Sequence, residues 1–521
     1  MARITQRRSL FGEGIRRVCA VAAASTAAEM ARLVRAGLRE TPTIELRLDW
    51  LRNDTERSGF LHWLKRNKPR GATFLATCRR REGGGKLRAG VQAELYWLKE
   101  ARQAGCSWCD LEIETVRELQ GRSLPEGQSL RDLELPRRIL LSLHDFAGTP
   151  SSKRSFGPVE HSEADAVKIA AYSETVVDSL SLLRLARNPP LFQLVAVPMG
   201  EVGLPARILA LREGSALAYA PIGKATAPGQ VSLYALKHLY RAHELTRRTR
   251  VYGVIGDPVG HSLSPLLHNT GFIARGIDAV YLPFLVKDLR DFLKAVPEFG
   301  MRGFSVTIPH KQSILKYLRE IDPLAAEIGA VNTVVVRRNG SLFGCNTDYL
   351  GILRALEKKL ELSGSRVLIF GAGGVARAAA FALAKAGAQV GICARREKLA
   401  RELARAVGGE AVPRRALKSE TIDAILNATP IGMHPHDGIS PLLPHELNCR
   451  VVMDLINRPQ RTQLLKLAAR KGIATISGVE MFVPQGVAQW ELWTGQHAPE
   501  SAMRKAVLEA LRAEENSRQH S

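Results

Sequence analysis

The chain has 521 residues, more than one hydrophobic core usually serves, so two or three domains are expected. It is 45% hydrophobic and 24% charged, as ordinary globular proteins are, and it contains no run of about 18 apolar residues that could span a membrane. The formal net charge of +23 is spread along the chain as arginines, without a zinc-finger, helix-turn-helix or RNP pattern. We therefore predict anionic small-molecule substrates and no nucleic-acid partner.

The N-terminal residues 1–16 are rich in arginine but lack the apolar core of a signal peptide, so they are predicted to form a disordered lead. The seven cysteines are odd in number and show no framework spacing, which favours reduced thiols in a cytoplasmic protein. Cys106 and Cys109 form a C-x-x-C pair inside a predicted strand. Without a second pair, we interpret them as structural and predict no metal site.

Eight short apolar runs recur in the first half of the chain at spacings of 25 to 36 residues. Helical stretches such as Ala27–Leu38, Gln92–Ala104 and Ser173–Ala186 lie between them. Eight strand-helix units in about 245 residues have the size and rhythm of a (β/α)8 TIM barrel, where chemistry lies at the carboxyl ends of the strands. The predicted strands are Val18–Ala23, Thr43–Leu51, Ala72–Arg79, Trp108–Glu114, Arg138–His144, Ala166–Ala171, Phe192–Gly200 and Leu217–Gly223.

One lysine, Lys168, interrupts the apolar run Ala166–Ala171 and is expected to point into the barrel. Burial disfavours its charged form, which favours an amine able to attack a carbonyl. His144 ends the preceding strand, and adjacent parallel strands lie about 5 Å apart. An amine beside an imidazole base is the pairing that Schiff-base formation followed by proton removal requires. Glu82, close to the end of the third strand, is predicted to hold the other imidazole nitrogen.

Four motifs of this half resemble those of type I 3-dehydroquinate dehydratase over roughly residues 17–240: IELRLD at 44–49, SLHDF at 142–146, VKIA at 167–170 and ATAPGQ at 225–230. The resemblance implies that Lys168 forms an imine with the C3 ketone of the substrate and that His144 is the acid and base. It places the substrate hydroxyls and carboxylate on Glu45, Arg47, Arg79, Arg207, Thr226 and Gln230. Arg207 is the predicted carboxylate partner, because a guanidinium can grip a carboxylate bidentately. The spacing from Arg79 to Glu82 is one residue shorter than the family pattern, so the choice among Arg79–Arg81 stays open.

A new strand, Val251–Gly256, follows a basic stretch over residues 238–250 that reads as the end of a helix. We place a domain boundary near residue 246, after a barrel domain of residues 17–245. Polar groups then recur in apolar surroundings. Ser262 and Ser264 lie on a turn that enters a helix, where hydroxyls and N–H groups suit a carboxylate. Thr307, Lys311, Asn332 and Asp348 follow in the motifs SVTIPHK, AVNT and NTD.

The run VLIFGAGGVAR at 367–377 reads as a buried strand, a glycine turn and a helix, with Gly371, Gly373 and Ala376 at the positions of the G-x-G-x-x-G/A pattern. Such a loop holds a pyrophosphate on the N–H groups of the helix start. The next strand ends in Arg395 and Arg396, where an NAD site carries an acidic residue. Arginines there suit a 2′-phosphate, so we predict NADPH as the cofactor.

The motifs HSLSP, SVTIPHK, AVNT, NTD, GAGGVAR and NATPIGM occur in the order typical of shikimate dehydrogenase, which the chain resembles over residues 251–515. The resemblance implies a catalytic pair, Lys311 and Asp348. It also implies a substrate site lined by Ser262, Ser264, Thr307, Asn332, Asp348 and Gln485. The chain departs from the family pattern at Asn457, where relatives often have a substrate-contacting tyrosine. The implied cofactor residues are Gly371, Ala372, Gly373, Gly374, Val375, Ala376, Arg395, Arg396, Thr429, Met433 and Gly478.

The predicted fold is therefore α/β throughout, with a TIM barrel followed by a two-lobed module: a substrate domain of residues 251–350, a Rossmann domain of residues 351–495 and a C-terminal helix and tail from 496. The predicted function is dehydration of 3-dehydroquinate through an imine, then reduction of 3-dehydroshikimate with NADPH. Two alternatives stay open: a second half that oxidises quinate with NAD, and a ligand-binding regulator built from retired enzyme domains. The sequence does not decide between a monomer and a dimer.

Overall fold

The computed structural model describes residues 10–122, 129–148, 163–189, 193–223, 229–418, 422–434 and 436–519. Thr226, one of the predicted substrate contacts, lies outside the described residues. The chain divides into two compact units, one of Met1–Thr249 with Phe284–Glu298 and one of Arg250–Pro283 with Phe299–Ser521. Within the described ranges, no helix combines the length and the apolarity needed to cross a bilayer.

The first unit contains a sheet of eight parallel strands in the order β7-β6-β5-β4-β3-β2-β1-β8, a nearly closed α/β barrel, as predicted. The strands are β1 Val18–Ala22, β2 Thr43–Arg47, β3 Thr73–Thr77, β4 Trp108–Glu112, β5 Arg138–Asp145, β6 Ala166–Tyr172, β7 Gln193–Met199 and β8 Ala218–Pro221. The helices are α1 Ala27–Leu38, α2 Asp54–Asn67, α3 Val91–Ala104, α4 Ile113–Arg122, α5 Val176–Arg187 and α6 Leu204–Leu209, and a π-helical turn spans Ala235–Leu239.

Alternating side chains of the barrel strands point inward, as the two-residue period of a strand requires. At the amino ends of the strands the inward positions are apolar, and Cys19, Leu75, Trp108, Leu140, Ala166 and Val195 form one buried cluster. Further along the same strands, toward their carboxyl ends, the next one or two inward-facing residues are polar. The barrel thus has an apolar floor and a polar mouth.

Part of the predicted disordered lead is ordered, which corrects the prediction for residues 10–16. Phe11 is only 4% exposed, and its ring stacks on that of Trp108 with 4.1 Å between centroids. The backbone N–H of Leu10 donates to Gln193 Oε1, and a 3-10 turn spans Gly14–Arg17. Phe11 therefore covers the apolar floor of the barrel, a contact that the local composition did not reveal. Residues 1–9 lie outside the described part of the chain.

The basic stretch over residues 238–250 was also predicted as the end of a helix, and this is wrong beyond Leu239. Turns follow, because Arg241 adopts a φ of 48°, which a helix cannot continue through. Strand β9 Arg250–Gly256 then opens the second unit.

The second unit is built on two six-stranded sheets, with orders β10-β9-β11-β13-β14-β12 and β17-β16-β15-β18-β19-β20. The remaining strands of the first sheet are β10 Ala279–Leu285, β11 Met301–Val306, β12 Glu320–Ile321, β13 Thr333–Val336 and β14 Leu342–Cys345. Those of the second are β15 Arg366–Phe370, β16 Gln389–Cys393, β17 Glu410–Ala411, β18 Ile422–Asn427, β19 Cys449–Asp454 and β20 Ala474–Ile476. The second sheet is parallel at every pairing, as in the predicted Rossmann fold.

The helices after residue 250 are α7 Ser264–Ala274, α8 Leu289–Phe299, α9 Pro323–Ile328, α10 Asp348–Leu356, α11 Gly374–Lys385, α12 Glu397–Ala406, α13 Gln463–Arg470, α14 Gly478–Thr494 and α15 Glu500–Gln519. All but the last residue of α8 belongs to the first unit. Helix α14 contacts α7, α10, β11 and β13. It belongs to the C-terminal part of the sequence, yet it packs against the first sheet and brings side chains of distant segments together.

Candidate active sites

The polar mouth of the barrel is held together by contacts that cross its interior. The ammonium of Lys168 on β6 contacts Asp110 Oδ2 on β4, and the hydroxyl of Ser142 on β5 donates to Asp110 Oδ1. Strands β4 and β6 are not neighbours, so the lysine and the aspartate meet inside the barrel. Arg79 Nη2 approaches the same carboxylate at 3.2 Å. Lys168 is 5% and Asp110 2% exposed.

The charge state of Asp110 follows from these neighbours. Burial alone would raise the pKa of Asp110, but the positive charges of Lys168 and Arg79 outweigh it and hold this pKa below its ordinary value. The sequence predicts Lys168 as a desolvated amine, without this carboxylate partner. The structure instead shows a buried ion pair, in which Asp110 is the partner of the Lys168 ammonium.

His144 lies beside this pair, at the end of β5. Burial, together with the nearby charges of Arg79 and Lys168, holds the pKa of His144 well below its ordinary value, so the ring is neutral at neutral pH. Its Nδ1 lies 3.1 Å from Glu112 Oε2, and Glu112 Oε1 accepts from Arg79 Nε at 2.5 Å. A neutral ring that donates Nδ1–H to this carboxyl group has its Nε2 lone pair available as a base.

The carboxyl group at His144 is thus that of Glu112, which corrects the prediction that Glu82 holds the imidazole. The side chain of Glu82 is 79% exposed and is 3.6 Å from Arg80 Nη1. Glu82 lies in the turn after β3, whereas Glu112 lies at the end of β4, one strand from His144. Burial raises the pKa of Glu112 even though Arg79 contacts it.

The other predicted contacts of this site lie on β2, just after β3, after β7 and after β8. Glu45 Oε1 accepts from the Thr77 hydroxyl at 2.7 Å. Arg47 pairs bidentately with Asp49 at 2.9 and 2.8 Å, so its charge is already compensated. Of the arginines 79–81, the structure buries Arg79 at the polar mouth, while Arg80 turns toward Glu94.

Arg207 differs from the other buried arginines of the barrel. It is 6% exposed, and its guanidinium donates to the carbonyl oxygens of Pro198 and Gly229, both at 3.0 Å. No carboxylate among the described residues pairs with it, and burial lowers its pKa. Gln230 directly follows Gly229, so the predicted glutamine lies on the segment that Arg207 holds.

Sequence reasoning missed Asp110, Glu112 and Ser142 as members of this site. A signal existed, since Trp108, Asp110 and Glu112 alternate along β4 and the two acids stand on the inward face of an apolar strand. A further polar group missed by sequence is the hydroxyl of Tyr219 on β8, which is buried without a partner in the described structure. The Tyr219 ring lies 5.2 Å from Lys168 Nζ.

The second site brings Lys311, Asp348 and Asn332 into contact. Lys311 Nζ donates to Asp348 Oδ2 at 2.6 Å, and Asn332 Nδ2 donates to Asp348 Oδ1 at 2.7 Å. Gln485 of α14 is buried, with its Oε1 3.4 Å from Asn332 Nδ2. The carboxylate of Asp348 is therefore held from both sides while one edge of the cluster faces Gln485.

The remaining predicted substrate residues follow strands β9 and β11 of the first sheet of this unit. Ser262 Oγ accepts from the backbone N–H of Ser264, the first residue of α7, at 3.2 Å. Thr307 follows β11, and its Cγ2 lies only 2.5 Å from where a Cβ of residue 256 would be, so Gly256 permits that approach. The chain places these hydroxyls at the ends of the neighbouring strands β9 and β11.

The glycine loop has the features needed to hold a dinucleotide. Gly371 adopts a φ of 115°, and a Cβ there would lie 2.9 Å from the Ala428 carbonyl oxygen. Gly373 precedes α11 with open space around it, and the site of a Cβ on Gly374 is 3.6 Å from Lys311 Cδ. The loop therefore borders the lysine of the second site. Of the other loop residues, Ala372 and Val375 are half-buried and Ala376 is buried in the core.

The predicted phosphate-binding arginines follow the end of β16 after one residue, Ala394. Arg395 and Arg396 are both exposed, and no ion pair to either is found in the described part of the chain. Two free guanidinium groups at the end of the second Rossmann strand fit a ribose phosphate.

The other predicted cofactor residues surround the ends of β18 and β19. Thr429 donates its hydroxyl to Asn427 Oδ1 at 2.7 Å, and Met433 is 47% exposed. Gly478 opens α14, where a Cβ would lie 2.5 Å from the Ile456 carbonyl oxygen. The side-chain oxygen of Asn457 is buried without a partner in the described structure.

A group of buried polar residues behind the second site was also missed: His268, Tyr281, Ser305, Thr333 and Gln489. The spacing of Gln485 and Gln489 was an available signal, because residues four apart lie on one face of a helix.

Family models match three parts of the chain. Residues 18–247 match type I 3-dehydroquinase, residues 254–334 match the shikimate dehydrogenase substrate binding domain, and residues 478–508 match the shikimate 5'-dehydrogenase C-terminal domain.

Individual proteins match as well. The chain is 33% identical over 480 residues to a chloroplastic bifunctional 3-dehydroquinate dehydratase/shikimate dehydrogenase of Arabidopsis thaliana, covering 88% of this chain and 78% of that protein. It is 44% identical over 279 residues to a shikimate dehydrogenase (NADP(+)) of Methanosarcina acetivorans, covering 51% of this chain and 99% of that protein. A crystal structure of shikimate 5-dehydrogenase from Thermus thermophilus in complex with NADP(H) and shikimate is 35% identical, covers 50% of this chain and 99% of its own, and has a TM-score of 0.47.

Proposed function

Given that the chain belongs to the family of bifunctional 3-dehydroquinate dehydratase/shikimate dehydrogenases, we propose that Lys168 and His144 catalyse its first reaction and that Lys311 and Asp348 catalyse its second. The enzyme thus performs two consecutive steps of the shikimate pathway: 3-dehydroquinate loses water to give 3-dehydroshikimate, which is reduced to shikimate. The assignment of residues is carried by one observation: each site has a buried or half-buried lysine in contact with an aspartate.

In the first reaction the Lys168 amine adds to the C3 ketone, and the ketone oxygen leaves as water, which forms an imine. His144 removes a proton from the neighbouring ring carbon, and the electron pair moves toward the imine nitrogen. The hydroxyl group on the following carbon then leaves as water with the proton that His144 carries. Hydrolysis of the imine releases 3-dehydroshikimate and restores the amine.

Two carboxyl groups support these steps. Asp110 pairs with the Lys168 ammonium, and its contact compensates the buried positive charge until the proton is passed on. Glu112 holds His144 Nδ1, which orients the ring so that Nε2 faces the substrate. Glu112 therefore takes the role that the sequence predicts for Glu82.

The substrate carboxylate is assigned to Arg207. Its buried guanidinium has two carbonyl partners and no carboxylate partner among the described residues, so a bound carboxylate would supply the missing negative charge. Glu45, Arg47, Arg79, Gln230 and Thr226 remain the proposed contacts of the hydroxyl groups, with Thr226 outside the described residues.

In the second reaction the Lys311 ammonium donates a proton to the oxygen of the ring ketone while Asp348 keeps that ammonium in place. Ser262, Ser264, Thr307, Asn332 and Gln485 are the proposed substrate contacts. The cofactor is NADP, and when bound as NADPH it supplies the hydride. We assign the pyrophosphate to residues 371–376, the 2′-phosphate to Arg395 and Arg396, and further contacts to Thr429, Met433 and Gly478.

All seven cysteines are free, and four of them are buried in the barrel. Free thiols suit a reducing compartment, so we propose a cytoplasmic enzyme with small-molecule substrates and no nucleic-acid partner.

Borohydride trapping tests the imine. Incubation of the full chain with 3-dehydroquinate and borohydride is expected to add the mass of the reduced adduct to the peptide that contains Lys168, and Lys168→Ala is expected to abolish it. The wild type and the variant should both still reduce added 3-dehydroshikimate with NADPH. An adduct of unchanged amount in Lys168→Ala would refute the assignment.

A further inference from the structure

A continuous hydrogen-bond chain runs through the core behind the second site. The Tyr281 hydroxyl donates to Ser305 Oγ at 2.6 Å, and the Ser305 hydroxyl donates to Gln489 Oε1 at 2.8 Å. Gln489 Nε2 donates to Thr333 Oγ1 at 2.9 Å, and the Thr333 hydroxyl donates to Asn332 Oδ1 at 2.7 Å. Asn332 then donates to Asp348 Oδ1 at 2.7 Å. We call these residues the Tyr281–Asp348 chain.

Two backbone groups fix the donor-to-acceptor direction of the hydrogen bonds in the Tyr281–Asp348 chain. A backbone N–H can only donate, and that of Thr347 donates to Asn332 Oδ1 at 2.7 Å, so the Asn332 amide must point its nitrogen toward Asp348. A backbone carbonyl can only accept, and that of Asn332 lies 3.3 Å from Gln489 Nε2. The Gln489 amide must therefore point its oxygen toward Ser305.

The orientation of Gln489 also sets the proton of His268. Gln489 Oε1 lies 3.3 Å from His268 Nε2, so that nitrogen carries the hydrogen. His268 Nδ1 is buried and has no partner in the described structure, as expected of the bare nitrogen of this tautomer. All donors and acceptors from Tyr281 to Asp348 therefore agree in direction.

We propose that Gln489 is a positioning residue of the reductase, which fixes Asn332 and through it the Asp348 carboxylate that orients Lys311. This inference rests on the proposed roles of Lys311 and Asp348. Gln489 contacts Ser305, Thr333, His268 and the Asn332 backbone, is 2% exposed, and is one helical turn from the proposed substrate residue Gln485. It acts on the reaction through Asn332, which is a proposed substrate contact and not a cofactor contact. Loss of Gln489 should therefore lower the reductase kcat more than it weakens NADPH binding.

The primary test is the substitution Gln489→Leu in the full chain. Leucine has a similar volume but lacks both the amide oxygen and the amide nitrogen of Gln489. We expect the reductase kcat to fall about 10-fold and the KM for NADPH to stay within about twofold, because misplacing a catalytic group costs rate rather than cofactor binding. The primary deuterium isotope effect with NADPH labelled at the transferred position should rise as hydride transfer becomes rate-limiting.

Trp490→Phe is the matched control. Trp490 is the next residue of α14, is fully buried, and carries an N–H without a partner in the described structure. It is expected to lower stability but to leave the reductase kcat within about twofold. If both variants lose kcat to the same degree, Gln489 is only a packing residue and the proposal is overturned.

Tyr281→Phe removes the first hydrogen bond of the Tyr281–Asp348 chain and is the milder substitution. It should lower the reductase kcat about threefold in the wild-type background and leave it unchanged in the Gln489→Leu background, because groups that act as a unit are not additive. Effects that multiply in the double variant would overturn the proposal. If Gln489→Leu does not bind NADPH, the variants Tyr281→Phe and Ser305→Ala test the proposal instead. An unchanged reductase kcat in both would overturn the proposal.

The proposed function fails separately from this inference. Wild-type protein that does not oxidise NADPH with 3-dehydroshikimate, or a Lys311→Ala variant as active as the wild type, would refute the catalytic assignment. An active wild type, an inactive Lys311→Ala and an unaffected Gln489→Leu would refute only the role of Gln489.

Discussion

The Lys168 ammonium and the Asp110 carboxylate are in direct contact inside the barrel, although their strands β6 and β4 are separated by β5. Both side chains are almost fully buried, so the Lys168 charge depends on Asp110 for compensation, while Asp110 is also approached by Arg79. Lys168 is therefore both part of a buried ion pair that affects the stability of the barrel and the proposed nucleophile of the first reaction.

Removing one member of this pair should destabilise the protein more than removing both. Asp110→Asn leaves the Lys168 ammonium buried without its carboxylate and is expected to lower the unfolding free energy of the barrel by about 3–5 kcal/mol. Combining Asp110→Leu with Lys168→Met should restore most of that loss, because neither charge remains. Urea unfolding of the full chain measures both. A double variant as unstable as Asp110→Asn would contradict the pair.

Glu112 and Glu82 offer a matched comparison of the two carboxyl groups proposed for His144. Glu112→Gln should lower the dehydratase kcat by about 30-fold, because an amide at Nδ1 neither compensates nor orients the imidazole as a carboxylate does. Glu82→Gln should stay within about twofold, because that side chain is exposed. Steady-state rates of water loss from 3-dehydroquinate, measured for both variants, decide which carboxyl group acts on His144. The reverse ranking would return the role to Glu82.

The two arginines after β16 should control the choice between NADPH and NADH. Replacing Arg395 and Arg396 by alanine should raise the KM for NADPH by about 10-fold or more and leave that for NADH little changed, since only NADPH carries the 2′-phosphate. Arg401→Ala is the control: Arg401 is exposed on α12 and lies 3.6 Å from Glu397. Equal losses with both cofactors would argue against a phosphate contact.

Acid should destabilise the second unit through His268. Burial lowers the pKa of His268 to about 3, against an ordinary 6.5. Between these values the unfolded chain binds a proton that the folded chain does not, so stability falls as pH falls. From pH 6.5 to about 4.5 the loss is about 2 to 3 kcal/mol, at about 1.4 kcal/mol for each unit of pKa difference.

The variant His268→Phe keeps an aromatic ring stacked on Tyr281 but cannot take up the proton. Its unfolding free energy should therefore depend less on pH than that of the wild type, and the two should converge toward acid pH. Urea unfolding followed by tryptophan fluorescence at several pH values measures this. Parallel curves for the two proteins would show that His268 titrates normally.

The α/β architecture, the nearly closed barrel and the parallel Rossmann sheet could be predicted from the sequence, because the period of apolar runs and the glycine turn are local signals. Lys168, His144, Lys311 and Asp348 could be proposed as catalytic residues from the sequence, because each stands within a short motif. The contacts between them could not, because they depend on which strand ends face each other. Glu82 lies near the arginine-to-glutamate spacing typical of the family. Glu112, in contrast, lies on β4, which pairs with the strand that carries His144.

The same limit explains the other misses. Phe11 belongs to an arginine-rich stretch and is buried only because the barrel floor accepts its ring. Gln489 gains its role from Ser305 and Thr333, which are 184 and 156 residues away in the chain. A pattern in one segment does not report such pairings.

A coupled assay tests the two-step account most directly. Wild-type chain given 3-dehydroquinate and NADPH should oxidise NADPH without any added enzyme. Lys168→Ala should not, yet should recover the wild-type rate when 3-dehydroshikimate is supplied instead. Oxidation of NADPH by Lys168→Ala with 3-dehydroquinate at the wild-type rate would contradict the account.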